Sequence, residues 1–216
     1  VGSIVGATLS VRLLAALGTS LALWRVSRGP EIPASVVRYA RALLGGAGNI
    51  APQVVSVAPY SLQPSPAALA GLDKLLEASV DGNVEIQLRE PLKYGEEDQL
   101  ADWLSNEDPT SANGHAVVFT LSATPEAENH GAVISTFRDW AKRGVFVVVD
   151  ESEYVTRIQG DATLQARLDE RRELWRGFVR RFGVGVLVAN LERIAAGTVP
   201  DADALNAVRE MLGAER

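Results

Sequence analysis

The chain contains no cysteine and only two histidines in 216 residues. The first absence excludes a disulfide framework, a cysteine nucleophile and thiolate-bound zinc or iron–sulfur; the second leaves little for a histidine-rich metal centre. Basic residues are outnumbered, with 21 Lys and Arg against 27 Asp and Glu for a formal charge of −6. A nucleic-acid groove is therefore not expected, because phosphate backbones are gripped by clustered Lys and Arg. The signatures GxxxxGK[ST], GxSxG and HExxH are also missing. Nucleotide hydrolysis on a glycine-rich phosphate loop, serine-elbow acyl transfer and HExxH zinc chemistry are not expected without them. What stays open is carboxylate chemistry, recognition by backbone groups, or binding without catalysis. With 47% hydrophobic residues, the chain can bury a core, and a disordered tail is excluded.

Charge is unevenly spread. Residues 1–50 hold Arg12, Arg25, Arg28, Arg38 and Arg41 against Glu31 alone, a balance of +4, so residues 51–216 carry −10 to reach the total of −6. The run Val1 to Trp24, VGSIVGATLSVRLLAALGTSLALW, is interrupted only by Arg12. As a helix it would span about 36 Å, longer than a hydrocarbon core. Arg12 is the obstacle, since a guanidinium near mid-membrane costs about 2.5 to 3.5 kcal/mol unless it snorkels or pairs. Because the chain opens on Val1 rather than Met, upstream membrane helices are expected to supply that partner. A secretory signal fits poorly, as no basic region precedes the apolar run and no small-residue cleavage site follows it. The competing reading is a buried helix of a soluble domain.

Arg25 and Arg28 directly after Trp24, with Arg38 and Arg41 beyond, form the flank that the positive-inside rule places in the cytoplasm. Residues 1–28 are thus expected to form a transmembrane helix and residues 29–50 an amphipathic helix (32–44) with a Gly-rich linker. Residues 51–216 are expected to form a cytoplasmic α/β domain held at the inner membrane. Gly46-x-Gly48-x-x-Ala51 matches a dinucleotide fingerprint in spacing only, because it precedes a strand instead of following one.

Beyond residue 52, short β-branched runs alternate with amphipathic stretches, the pattern of βα units on a parallel sheet. The runs are Val54 to Ala58, Val84 to Leu88, Ala116 to Leu121, Val145 to Val149 and Val184 to Ala189. The third and fourth are continuously apolar, as central strands covered on both faces should be. Ser65-Pro66 supplies an N-cap and a proline at N1 for a helix carrying Leu69, Leu72, Leu75 and Leu76. Glu96-Glu97-Asp98 opens the next helix with charge that suits its dipole. Pro125 to Arg143 places Val133, Ile134, Phe137 and Ala141 on one face and stops at Gly144. The longest helix is expected from about Thr163 to Phe182, with Leu164, Leu168, Trp175, Phe178, Val179 and Phe182 inward. Pro200-Asp201 caps a last helix bearing Leu205, Val208 and Leu212.

Open α/β sheets bind ligands beyond the carboxyl ends of their strands, so the segments after each run carry the candidates. They supply an acidic, hydroxyl-rich rim: Tyr60, Tyr94, Glu96, Thr124, Asp150, Glu151 and Tyr154. Asp150 and Glu151 have the chemistry to hold magnesium, but acidic residues after strands are also ordinary helix caps, and no metal or cofactor is expected. His115 at a strand start and His130 in a first helical turn read as structural or exposed. The long helix is unusual for Arg167, Arg171, Arg172, Arg176 and Arg180 on its outer face, interleaved with Asp169, Glu170 and Glu173. Such faces are commonly solvated and laced with weak pairs; the sharper reading is a docking surface for an acidic partner or anionic headgroups.

The order APYSLQPSPAALAGLDKLL, PLKYGEED, VVFTLSATPE, VVVDESEYVTRI and RLDERRELW resembles a bacterial family of multi-spanning inner-membrane proteins with a domain of unknown function, often encoded beside a large GTPase-like protein. The likeness runs from the apolar start to about Leu191, with Arg12 comparable to an arginine near the middle of the family's last membrane segment. Its matching positions are Tyr94-Gly95-Glu96-Glu97, Asp150-Glu151 with Tyr154 and Arg157, and Arg167 with Glu170-Arg171-Arg172 and Trp175. None is a catalytic signature. The resemblance implies a membrane-tethered domain that associates with a GTPase partner. The expected fold is α/β, a mostly parallel five-stranded doubly wound sheet, Rossmann-like or GTPase-like, without a phosphate loop and preceded by the apolar helix. The expected function is a non-enzymatic scaffold or regulator, the alternative a degenerate magnesium-dependent nucleotide site on the acidic rim.

Overall fold

The computed structural model describes residues 52–80, 83–141, 144–200 and 202–213. The expected transmembrane helix (1–28) and the amphipathic helix with its linker (29–50) lie outside the described residues. Among the described residues no helix is long and apolar enough to cross a membrane.

The fold is α/β, with five strands: β1 (Gln53–Pro59), β2 (Val84–Leu88), β3 (Gly114–Thr120), β4 (Val145–Asp150) and β5 (Gly185–Ala189). They form one sheet in the order β2-β1-β3-β4-β5, and every pair is parallel. The two continuously apolar runs are β3, at the centre, and β4 beside it. Alternation along them divides the core. Val117, Phe119, Val147 and Val149 face one side, and Ala116, Val118, Phe146 and Val148 the other.

Seven α-helices accompany the sheet among the described residues: α1 (Pro66–Ser79), α2 (Glu97–Ser105), α3 (Ala132–Ala141), α4 (Ser152–Arg157), α5 (Leu164–Arg180), α6 (Leu191–Ala195) and α7 (Ala202–Met211). α1, α6 and α7 cover the second face and α2 to α5 the first. That division follows from chain direction. The step from β1 to β2 runs one way along the sheet and every later step runs the other, so a constant crossover hand requires the covering helices to change face. The direction reverses between β1 and β3, which places the topological switch point there.

Local chemistry sets the helix ends. The Ser65 hydroxyl accepts from the Ala68 N–H at 3.0 Å, with Pro66 at N1. Gly144 takes φ +70 just before β4, a conformation that favours glycine at a helix exit. The expected helix over Pro125–Arg143 begins differently. Ala127–Gly131 forms a π-turn before α3, with the Gly131 N–H reaching the Glu126 carbonyl at 3.0 Å. The wider turn puts the His130 ring against Tyr60, Phe119 and Trp175, with centroids 5.1 to 5.3 Å away. The inward stripe of α5 is as its spacing predicts: Leu168, Trp175, Phe178 and Val179 are buried, and Leu164 and Phe182 pack at its margins.

Candidate functional site: the carboxyl rim of the sheet

Register brings Thr120, Asp150 and Ala189 side by side at the ends of β3, β4 and β5. Directly above the switch point lies an open crevice of about 710 Å³ lined by Ser61, Ser65, Thr120, Asp150, Ser152 and Glu192, among others. Ser61, at the exit of β1, has φ 53 without being glycine. Backbone held in the left-handed region costs about 1–2 kcal/mol for such a residue, and strain of this kind clusters at functional loops.

Asp150 is the hub of this crevice. Its Oδ1 accepts from the Ser152 N–H at 3.0 Å, the Ser152 hydroxyl at 2.6 Å and the Leu191 N–H at 3.3 Å. Asn190 Oδ1 accepts from the Arg193 N–H at 2.9 Å and lies 3.1 Å from the Ser152 hydroxyl. One carboxylate thus ties the starts of α4 and α6 to the ends of β4 and β5. Burial pushes the Asp150 carboxyl above the usual carboxylate range, and the bonds from Ser152 and Leu191 offset part of that rise. Among the described residues no three carboxylate or imidazole groups converge well enough to hold a metal ion.

The neighbouring Glu151 is 5% exposed and meets Arg172 of α5 in a two-pronged pair, Oε2 to Nε at 2.8 Å and Oε1 to Nη2 at 2.7 Å. Glu151 is the main cause of the raised Arg172 guanidinium pKa. One residue earlier, Arg171 donates to the Ser122 carbonyl at 2.9 Å and to the Thr124 hydroxyl at 3.4 Å. The Trp175 indole donates to the Ala123 carbonyl at 3.1 Å. Three inward-reaching side chains of α5, Arg171, Arg172 and Trp175, therefore bolt the helix to the loops after β3 and β4.

This geometry divides the basic stripe seen in the sequence. Arg172 is committed to Glu151, and Arg171 turns toward the Ser122 loop. Arg167 is exposed and pairs with Asp161 at 2.8 Å. The Thr163 hydroxyl and N–H, then Arg167, hold Asp161 down to about 2. Arg176 pairs with Glu173 at 2.7 Å, and Arg180 is exposed. Arg172 lies on the same i, i+4 row as Arg176 and Arg180 but is drawn aside to Glu151, and Arg171 faces the Ser122 loop, so Arg167, Arg176 and Arg180 are the arginines of the stripe whose guanidiniums stay toward solvent.

The ligand-rim candidates also divide. Thr124, Glu151 and Tyr154 gather with the arginines of α5, while Asp150 lines the switch-point crevice. Tyr60, Tyr94 and Glu96 belong to the β1–β2 side. Tyr60 is 2% exposed and its hydroxyl donates to Glu97; burial first, then Glu97, pushes that hydroxyl far above its ordinary pKa. Tyr94 is 61% exposed and accepts from Asn129 at 2.8 Å, while Glu96 makes an exposed pair with Lys93 at 3.6 Å. Residues that pattern alone did not select include Ser152, Asn190 and Glu97. Asp150-x-Ser152 carries a usable signal, the spacing of an Asx turn.

No family model and no curated protein matches this chain. Among solved structures it is similar to Smu.1420 from Streptococcus mutans UA159, at 10% identity over 74% of this chain and 97% of that one, with a TM-score of 0.25.

Both histidines of the chain are buried, His115 at 2% and His130 at 5% exposure. His115 faces Pro109 O, Arg89 and Glu107; His130 faces Glu126 and Glu97. Burial lowers the pKa of each below that of a free imidazole. The unfolded chain therefore binds more protons than the native one as pH falls below about 6.5, so stability decreases in that direction. Urea midpoints at about pH 7.5 and about pH 5.5 should show this loss. The double variant His115→Gln/His130→Gln should be less stable at the higher pH and flatter between the two.

Proposed function

We propose that this chain is a non-enzymatic, membrane-tethered scaffold or regulator whose α/β domain docks a soluble partner through α5. The observation that carries the reading is how the rim uses its charges. Asp150 and Glu151 are committed to fixing α4, α6 and α5, whereas Arg176 and Arg180 stay on the solvent side of a helix locked to two central strands. A rigid basic face on a domain of net negative charge orients an acidic partner and speeds its encounter. The apolar, Arg-flanked N-terminal run supports the tether on the cytoplasmic face of the inner membrane. The family resemblance supports a GTPase-like protein as the partner.

Charge reversal tests this. Arg176→Glu/Arg180→Glu is expected to weaken partner binding about tenfold, or about 1.4 kcal/mol, and to flatten its dependence on ionic strength. Unchanged affinity across a salt series would remove α5 from the interface. Arg172 is unsuitable for this experiment, since its loss would expose the buried Glu151 charge.

A second reading rests on the switch-point crevice. Its hydroxyl lining and the half-buried Asp150 carboxyl suit a degenerate nucleotide site, for which Asp150→Asn should abolish any nucleotide affinity.

A further inference from the structure

Tyr154, the first aromatic residue after β4, sits beneath a bowl of about 590 Å³ that opens beside the switch-point crevice. The bowl is lined by Tyr154, Arg157, Arg167, Glu170, Arg171 and Leu174. Two guanidiniums lie over the Tyr154 ring, Arg157 at 5.3 Å and Arg171 at 5.7 Å from its centroid. Among the described residues neither has a carboxylate partner, in contrast to Arg89, Arg138, Arg167, Arg172 and Arg176. Arg171 is held by the neutral Ser122 carbonyl and Thr124 hydroxyl, and its Nε is buried with no hydrogen-bond partner. Arg167 stands at the bowl fixed by Asp161, and Glu170 is the one carboxylate of the lining.

Arg157 is exposed and Arg171 half-buried; neither is neutralised by a carboxylate among the described residues, so the two repel one another, and the buried Arg171 Nε is a cationic donor left unmatched, which is costly. An oxyanion would match them. Arginine forks suit phosphate better than a monoanionic carboxylate, because phosphate offers more acceptor oxygens and a second charge. Arg171 is pre-oriented by its bonds to the Ser122 loop, so part of the ordering cost precedes binding.

We propose that the Tyr154 bowl binds a phosphate monoester, with Arg157 and Arg171 as its principal ligands and Arg167 as the third cation. This goes beyond the docking reading, which rests on Arg176 and Arg180, and it is tested without any partner protein.

Calorimetric titration of the full chain in a non-ionic detergent, at fixed ionic strength, uses inorganic phosphate and then glycerol phosphate as probes. Vesicles containing phosphatidic acid, compared with phosphatidylcholine alone, form the lipid arm. Saturable binding is expected, weakened about tenfold or more by Arg157→Gln and by Arg171→Gln, and unchanged by Arg180→Gln. Among the described residues the Arg157 side chain makes no hydrogen bond or ion pair and only its ring contact with Tyr154, so its variant should keep close to the wild-type melting temperature and remain interpretable even if Arg171→Gln does not fold. Binding to the soluble esters identifies a free phosphorylated ligand, and binding to phosphatidic acid alone a lipid headgroup; either sustains the proposal. No saturable binding in either arm, or equal affinity in the Arg157→Gln protein, overturns it.

Discussion

Arg172→Met should cost about 3 to 5 kcal/mol, an effect out of proportion to a helix surface position. Most arginine pairs on α5 are exposed and contribute about 1 kcal/mol at best. The Arg172–Glu151 pair differs in burial, with side-chain exposures of 25% and 7%. Removing the guanidinium leaves a carboxylate below the surface at the end of β4, with its two strongest donors gone. Asp169, which also touches Arg172 at 3.2 Å, is solvated and gives little of the effect. The double variant Arg172→Met/Glu151→Leu is expected to recover most of the loss, because apolar replacements remove both buried charges together. Urea denaturation of the single and double variants checks this, through midpoints that move while the slope stays constant. Equal losses in the Arg172→Met single variant and the double variant would show that packing, not charge, holds α5 there.

Gly71→Ala is expected to destabilise by about 2 to 3 kcal/mol, with a fall in melting temperature of about 5 to 10 °C. Two effects oppose each other. Alanine is the better helix former by about 1 kcal/mol, and Gly71 is within α1. Against that, a Cβ at Gly71 would lie well inside contact distance of the Leu191 carbonyl oxygen. That oxygen belongs to the Leu191–Glu192 peptide, whose N–H donates to the Ser152 hydroxyl at 3.1 Å, and the peptide before it is held by Asp150, so it cannot swing aside. Overpacking against fixed backbone wins. Gly185→Ala is the matched control: the atoms a Cβ would meet there are the flexible thioether of Met211, and its cost should stay below about 1 kcal/mol. If Gly71→Ala proves as mild as Gly185→Ala, α1 and α6 are less tightly joined than their packing indicates.

Much of the sheet was legible because its signals are local. The runs Ala116 to Leu121 and Val145 to Val149 read as buried parallel strands because they are continuously apolar, and Ser65-Pro66 marked the start of α1. Strand order was not legible: nothing in the β2 run says that it pairs with β1 at the sheet edge. The π-turn at Ala127–Gly131 escaped because its cause is tertiary, the seating of His130 among rings from β1, β3 and α5. The site was half legible. The rim carboxylates and the α5 arginines were both visible, but as separate features, since helical spacing gives a face and not the reach of a side chain back to a loop. Only the fold joins Arg172 to Glu151 and Arg171 to Ser122. It also places Arg157 beside Arg171, although 14 residues of sequence separate the two.

The most direct measurement is titration of a GTPase-like protein, the partner class proposed above, into the full chain, with that protein empty, GDP-loaded or loaded with a nonhydrolysable GTP analogue. A parallel titration adds nucleotide and magnesium alone. Saturable partner binding that changes with the bound nucleotide and weakens in Arg176→Glu/Arg180→Glu is the expected result. No partner binding in any state, together with nucleotide binding that Asp150→Asn abolishes, would contradict the docking role and assign the function to the crevice above the switch point.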